Sequence, residues 1–501
     1  MKVVLAGYNV DREALDEVRR FAPGRLDLTP ETLSAAYARI SRDPRPVEEL
    51  RQAARSEVDK ARRSNRTIIF KMGHHSVAEH AVFNFDIGGV SRLAIEEIEK
   101  FRLCSFTEKS QRYIKLGDDY VVPEEIVRSG KRPLFETTIR AQNALYHALY
   151  AKLKPHVFAA NPEAAADPGR HALLDGWAKE DARYAVSLAT EGQLGLTVNA
   201  RNLELMIRRF AAHPSAEIQA LNRMLAEEAR RVAPSIVLFT EATPFDAETA
   251  ASFRERAEDV LGRGRTRPAR VRGPAREPAV RLIEATPDGD DRILAALLHA
   301  FGGRAYDRGR AEIRRLSVRE KRALFLTVFE RMEFYDFPPR EFEHGVLTFE
   351  LTVSASCFAQ IKRHRMATLT VQDYDPSLGA TVPPSIEAVG EGSAFRELIA
   401  RTGLAYAVLK EEAGTAAAYV LTNAHRRRVL LKVNLRELYH ISRLREDASA
   451  QWDIRRVSAG MARLARARFP LAGILLGGKD AYPELYRKIF GRLPAVVPPK
   501  T

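Results

Sequence analysis

Two cysteines in 501 residues leave no material for a disulfide framework. Cys104 and Cys357 read instead as small buried apolar side chains. Long hydrophobic runs are also missing. The apolar start Val3-Val4-Leu5-Ala6 soon meets Asp11, Arg12 and Glu13, and no run approaches the roughly 18 apolar residues that a membrane span requires. A cytoplasmic chain with no membrane partner is expected. Metal-ligand spacing does not stand out either; His74-His75 and His80 read as a helix-to-strand junction, and no metal is expected. Acids are missing from one stretch. Between Gly262 and Arg276 the chain carries Arg263, Arg265, Arg267, Arg270, Arg272 and Arg276, broken by Pro268 and Pro274. Such a composition cannot bury a core, so a linker is expected over 245–279. A nucleic-acid tether is the sharper alternative, but arginine-rich runs are commonly just solvated, and a nucleic-acid partner is not expected.

What is present is an excess of base, 79 Lys and Arg against 65 Asp and Glu, for a net charge of +14. That balance favours anionic partners such as nucleotides and phosphorylated cofactors. The length exceeds what one core organises, which predicts two domains, 1–244 and 280–501.

The chain also repeats itself. Glu79-His80-Ala81-Val82-Phe83-Asn84-Phe85, followed by Lys100-Phe101-Arg102, answers Glu343-His344-Gly345-Val346-Leu347-Thr348-Phe349, followed by Arg363-His364-Arg365. Repetition at this range implies a duplicated domain. The first copy is one residue longer, and Gly88-Gly89 is the expected site of a bulge. A second matching pair, Thr197-Val198-Asn199-Ala200-Arg201 and Lys432-Val433-Asn434-Leu435-Arg436, opens a helix in each half. Further helices are expected at Ala216–Val232 and Ala450–Arg466, each ended by a proline, Pro234 or Pro470. Each half then reads strand, helices, strand, motif helix and loop, terminal helices. That is an α+β arrangement, a sheet flanked by helices, built twice.

These ordered motifs resemble the flavin-dependent thymidylate synthase family across nearly the whole of both halves. The family carries R-H-R-x-x-S-x-N-x-x-S-x-R after an E-H-x-x-F-x-F strand, and later N-x-R-x-L and A-Q-W-E-I. The second half supplies Gln360, Arg363-His364-Arg365, Asn434, Arg436, Arg445 and Ala450-Gln451-Trp452-Asp453-Ile454. The resemblance implies FAD as cofactor, contacted by Arg363, His364, Arg365, Asn434, Arg436, His440 and Glu108. Independently, arginines placed at a reduced flavin's anionic edge favour the reduced state. The first half has lost the triplet but keeps Ser105-x-Thr107-Glu108-x-x-Ser110-x-Arg112, whose hydroxyls, backbone N–H groups and arginine suit a phosphate dianion. The resemblance gives Ser110, Arg112, Arg183 and Gln360 to dUMP, and makes Arg445 the catalytic residue that orients and polarises the pyrimidine. In the second half Asp373, Asp375 and Ala418 stand at the places of Ser110, Arg112 and Arg183, and in the first half Phe210 stands at that of Arg445.

The implied activity is a methyltransferase reaction: reductive methylation of dUMP to dTMP through FAD, with NADPH and methylenetetrahydrofolate as co-substrates. A homodimer would mimic the family's tetramer. A different flavoenzyme acting on another pyrimidine nucleotide is the alternative within enzymes, and a non-catalytic nucleotide- or nucleic-acid-binding paralogue is the alternative outside them.

Overall fold

The computed structural model describes residues 1–21, 28–40, 43–261 and 279–498. Two compact units divide the chain. One holds Met1–Arg270 with Ser393–Leu421; the other holds Val271–Gly392 with Thr422–Thr501. The arginine run of the expected linker lies outside the described residues; its start is the helix Pro244–Leu261, which buries no residue.

Each unit is organised by one antiparallel sheet of four strands, and the strand order is the same in both. The first contains β1 (Lys2–Tyr8), β2 (Val82–Ser91), β3 (Ser105–Glu108) and β4 (Glu191–Asn199), ordered β1-β2-β4-β3. The second contains β5 (Val280–Ala285), β6 (Val346–Ser354), β7 (Thr368–Val371) and β8 (Arg426–Asn434), ordered β5-β6-β8-β7. The tandem α+β reading therefore holds. Two strands per half were not anticipated: β3 and β7 begin what reads as a loop, and β4 and β8 precede the Asn-x-Arg helices.

Alternation explains the layering. Phe83, Phe85 and Ile87 of β2 point into one core, and Leu347, Phe349, Leu351 and Val353 of β6 into the other. Each such side chain contributes about 1.5–3 kcal/mol on burial. The extra residue of the first copy is absorbed where expected. The β2–β4 register shifts between Gly88 and Val90, and Gly89 has φ +67° with a would-be Cβ only 3.0 Å from the Met1 nitrogen, so only glycine fits.

Both motif helices start on a serine cap. Ser91 accepts from Ala94 N–H at 2.9 Å, and Ser354 from Cys357 N–H at 3.0 Å. Each serine hydroxyl in turn donates to a buried acid at the start of a later helix, Ser91 to Glu217 and Ser354 to Asp453, both at 2.7 Å. In the first unit that node is completed by Tyr419, which donates to Glu217 at 2.7 Å. Tyr419 lies in the segment 393–421, which Gln142 also binds by donating to Thr402 Oγ1 and the Val420 carbonyl at 3.0 and 2.8 Å. Both cysteines are buried, and burial pushes the Cys357 thiol up, away from nucleophilic use. Among the described residues no helix is long and apolar enough to cross a membrane.

Candidate functional site

The expected site residues fall into two clusters, one in each unit. In the first unit β3 pairs with β4 from Ser105↔Thr197 to Glu108↔Leu194, which puts Glu108 at the strand's end and Ser110 in the loop beyond. Ser110 Oγ accepts from the Arg112 backbone N–H at 3.1 Å, so the hydroxyl shapes the turn that projects Arg112. The loop is pinned at both ends of its crest. Lys179 donates to the Tyr113 carbonyl at 3.1 Å, and Leu116 N–H donates to Tyr146 Oη at 3.0 Å. The Arg112 guanidinium meets Glu180 on the helix His171–Ala182 in a short ion pair. Arg183 follows that helix and is buried; burial lowers its pKa, Glu180 opposes the shift, and the nearby Arg112 adds to it. The structure thus brings Ser110, Arg112 and Arg183 together around Glu180. Arg112 and Arg183 place two guanidiniums near one another, the donor type that anion binding uses.

Glu180 was not foreseen. It stands three residues before Arg183 on the same helix, but nothing in the sequence ties it to Arg112, 68 residues away.

In the second unit Gln360, Arg363, His364 and Arg365 lie on and just after the helix Ala355–Ile361. Arg363 and Arg365 are exposed, whereas His364 between them is 3 % exposed. Arg445, on the helix Leu435–Arg445, reaches across and its Nε donates to His364 Nε2 at 2.9 Å. His364 Nδ1 lies 3.7 Å from Glu437 Oε1, and the His364 and His440 rings meet edge to face at 5.6 Å. Burial first, and then Arg445, push the His364 pKa down to about 3, so the ring is neutral at physiological pH. Gln360 donates to Gln451 at 3.5 Å, while its buried Oε1 has no hydrogen-bond partner. Asn434 caps the helix by accepting from Glu437 N–H at 2.8 Å. Arg436 donates to the Pro338 carbonyl at 2.9 Å and lies over the Phe337 ring. Glu437 is the unanticipated member of this group.

The corresponding positions of the other half are occupied by groups that close on themselves. Phe101 and Phe210, at the places of His364 and Arg445, pack edge to face at 5.6 Å. Lys100 is held by Glu97 at 2.6 Å, and Glu97, at the place of Gln360, also faces His213 at 3.7 Å. In the second unit Asp375, at the place of Arg112, accepts from Ser377 N–H at 2.8 Å and caps a short turn.

A family model described as "Thymidylate synthase complementing protein" matches the chain twice, over residues 26–235 and 281–471. A "UPF0159 protein" of Chlamydia muridarum is 23 % identical over 418 residues, covering 81 % of this chain and 79 % of its own length. A second protein of that designation, from Thermoplasma acidophilum, is 25 % identical over 451 residues, 82 % of this chain and 87 % of its own. A protein of Geobacter sulfurreducens named "Flavin-dependent thymidylate synthase" is 33 % identical over 181 residues, 35 % of this chain and 67 % of its own.

Proposed function

The chain belongs to the thymidylate synthase complementing protein family, and we propose that it is a working flavin-dependent thymidylate synthase in which the two halves have divided the ligands between them. The reaction is reductive methylation of dUMP to dTMP, with methylenetetrahydrofolate as one-carbon donor and NADPH as reductant. The observation that carries this reading is the sorting of the two clusters. The second half keeps His364 and Arg445 where the first has two phenylalanines. The first half keeps Arg112 and Arg183 where the second has Asp375 and Ala418. Loss without function would not be expected to spare complementary sets.

The residues present fit FAD. Two exposed arginines, Arg363 and Arg365, flank the buried neutral His364, whose Nδ1 has no hydrogen-bond partner. Bound there, FAD would supply hydride-transfer chemistry between NADPH and the one-carbon unit, and the residues named here would hold it. Arg363 and Arg365 bind the cofactor by charge. In the second half Asn434, Arg436 and His440 would add to its contacts, with Asn434 also fixing the start of the helix that carries Arg436, His440 and Arg445; Glu108 is the cofactor residue proposed in the first half. In the first half Ser110, Arg112 and Arg183 would bind a dUMP phosphate, with Arg112 turning from Glu180 to do so. In the second half Gln360 and Arg445 would orient a pyrimidine ring, and His364, accepting from Arg445, fixes the guanidinium for that task.

No enzyme thiol is needed, in keeping with the buried, high-pKa Cys357. A homodimer would supply four domains, the number found in a family tetramer.

Flavin absorbance tests the reading first. Purified protein, or protein incubated with FAD and desalted, should carry the flavin spectrum; protein that neither retains nor takes up FAD would contradict it.

A further inference from the structure

His364, Glu437 and His440 offer one ligand atom each, and these three atoms lie within 4.8 Å of one another. Glu437 and His440 are three residues apart on one helix, so their side chains share a face. His364 comes to them from the end of another helix. Its Nδ1 is buried and has no hydrogen-bond partner. The 3.7 Å from that atom to Glu437 Oε1 is too long for a hydrogen bond. It is close to the separation of two ligands that share an ion at about 2.0–2.2 Å from each.

We propose that His364, Glu437 and His440 bind one divalent transition-metal ion per chain, and that the ion competes with the hydrogen bond from Arg445 to His364. Two imidazoles and one carboxylate, with the remaining positions open, suit zinc, cobalt or ferrous iron rather than magnesium or calcium. His440 is only half buried, which opens the site toward solvent.

The competition follows from the proton. Arg445 Nε–H donates to His364 Nε2, so the ring's single proton sits on Nδ1, facing Glu437. A metal ion needs the Nδ1 lone pair. The ring must then carry its proton on Nε2, and the Arg445 Nε–H can no longer donate to it. One neutral tautomer replaces the other, with no net proton taken up or released by the ring. The ion's charge also repels the guanidinium. Metal binding therefore displaces the arginine assigned above to the pyrimidine, and because His364 and His440 are also assigned to the flavin, ion and cofactor exclude each other.

The duplicated half limits the stoichiometry. Phe101, Asn202 and Leu205 stand at the places of His364, Glu437 and His440 and offer no such ligand set.

The test uses the full chain, stripped with chelator and free of flavin and nucleotide, titrated with cobalt(II) and followed by d–d absorption and calorimetry. One cobalt ion per chain is expected. Glu437→Gln and His440→Ala should each weaken binding at least about tenfold, and Arg445→Ala should tighten it. Circular dichroism of each variant checks that it is folded. Absence of any d–d bands beyond those of aqueous cobalt at millimolar cobalt, or binding unchanged in both Glu437→Gln and His440→Ala, overturns the site. Affinity unchanged in Arg445→Ala overturns the competition. None of these measurements involves FAD, so their failure leaves the flavin reading untouched.

Discussion

Arg445 Nε and His364 Nε2 are 2.9 Å apart, and the residues at the same two places in the first half, Phe210 and Phe101, are also in contact, ring edge against ring face. A polar pair in one copy has become an apolar pair in the other, with both members changed together. The contact serves different chemistry in the two copies: in the first half it belongs to the core, and in the second it ties a guanidinium at the end of the helix Leu435–Arg445 to a buried histidine.

That difference predicts opposite mutational phenotypes. Phe210 is 2 % exposed and belongs to the first unit's core, so Phe210→Ala should cost about 3–5 kcal/mol of stability. Arg445→Ala should cost far less stability and abolish turnover. Urea unfolding of both variants beside the wild type measures the contrast.

Flavin binding should depend on Arg363 and be indifferent to Lys100. Arg363 stands beside the buried His364, whereas Lys100 stands beside Phe101 and pairs with Glu97. Arg363→Ala is expected to weaken FAD affinity at least about tenfold, the loss of one charge-assisted contact. Lys100→Ala is expected to leave it unchanged. Equal effects in a fluorescence titration would argue against a division of labour between the halves.

Nucleotide binding should depend on the first half. Arg112→Ala removes one guanidinium from the Glu180 cluster and should weaken dUMP by about 1–3 kcal/mol in calorimetry. Deoxyuridine, which lacks the phosphate, should bind wild type and variant alike.

His425 is buried and accepts from Thr422 N–H at 3.0 Å, with no partner for its other nitrogen. Burial holds its pKa at about 4, below the ordinary 6.5. Between those values the unfolded chain takes up a proton that the folded chain refuses. Stability from this residue is therefore complete above pH 6.5 and declines as the pH falls toward 4, by on the order of 2–3 kcal/mol. Denaturation midpoints of wild type and His425→Gln should converge as the pH is lowered through that window; parallel curves would exclude the buried neutral histidine.

Much of this was legible in the sequence. The repeat, the inward alternation of Phe83, Phe85 and Ile87, and the bulge at Gly88-Gly89 follow from residue pattern alone. The strands β4 and β8 did not. Gly192 and Gly195 dilute the first, and Arg426-Arg427-Arg428 disguise the second as surface. In fact Arg427 is buried between the rings of Phe358 and Tyr374, 4.8 and 4.2 Å away, so a charge run became an inward strand position. Residue types at the two clusters could be read from motifs. Their partners could not, because Arg112 and Glu180 are 68 residues apart and His364 and Arg445 are 81 apart. Only folding reveals that Glu437 and His440 share a face with His364.

The most direct test of the divided-ligand enzyme is release of tritium from [5-3H]dUMP in the presence of FAD, NADPH and methylenetetrahydrofolate. The wild type should release tritium and form dTMP, and Arg112→Ala and Arg445→Ala, one substitution in each half, should each suppress release. Wild-type protein loaded with FAD that releases no tritium, or release that survives either substitution undiminished, would contradict the account.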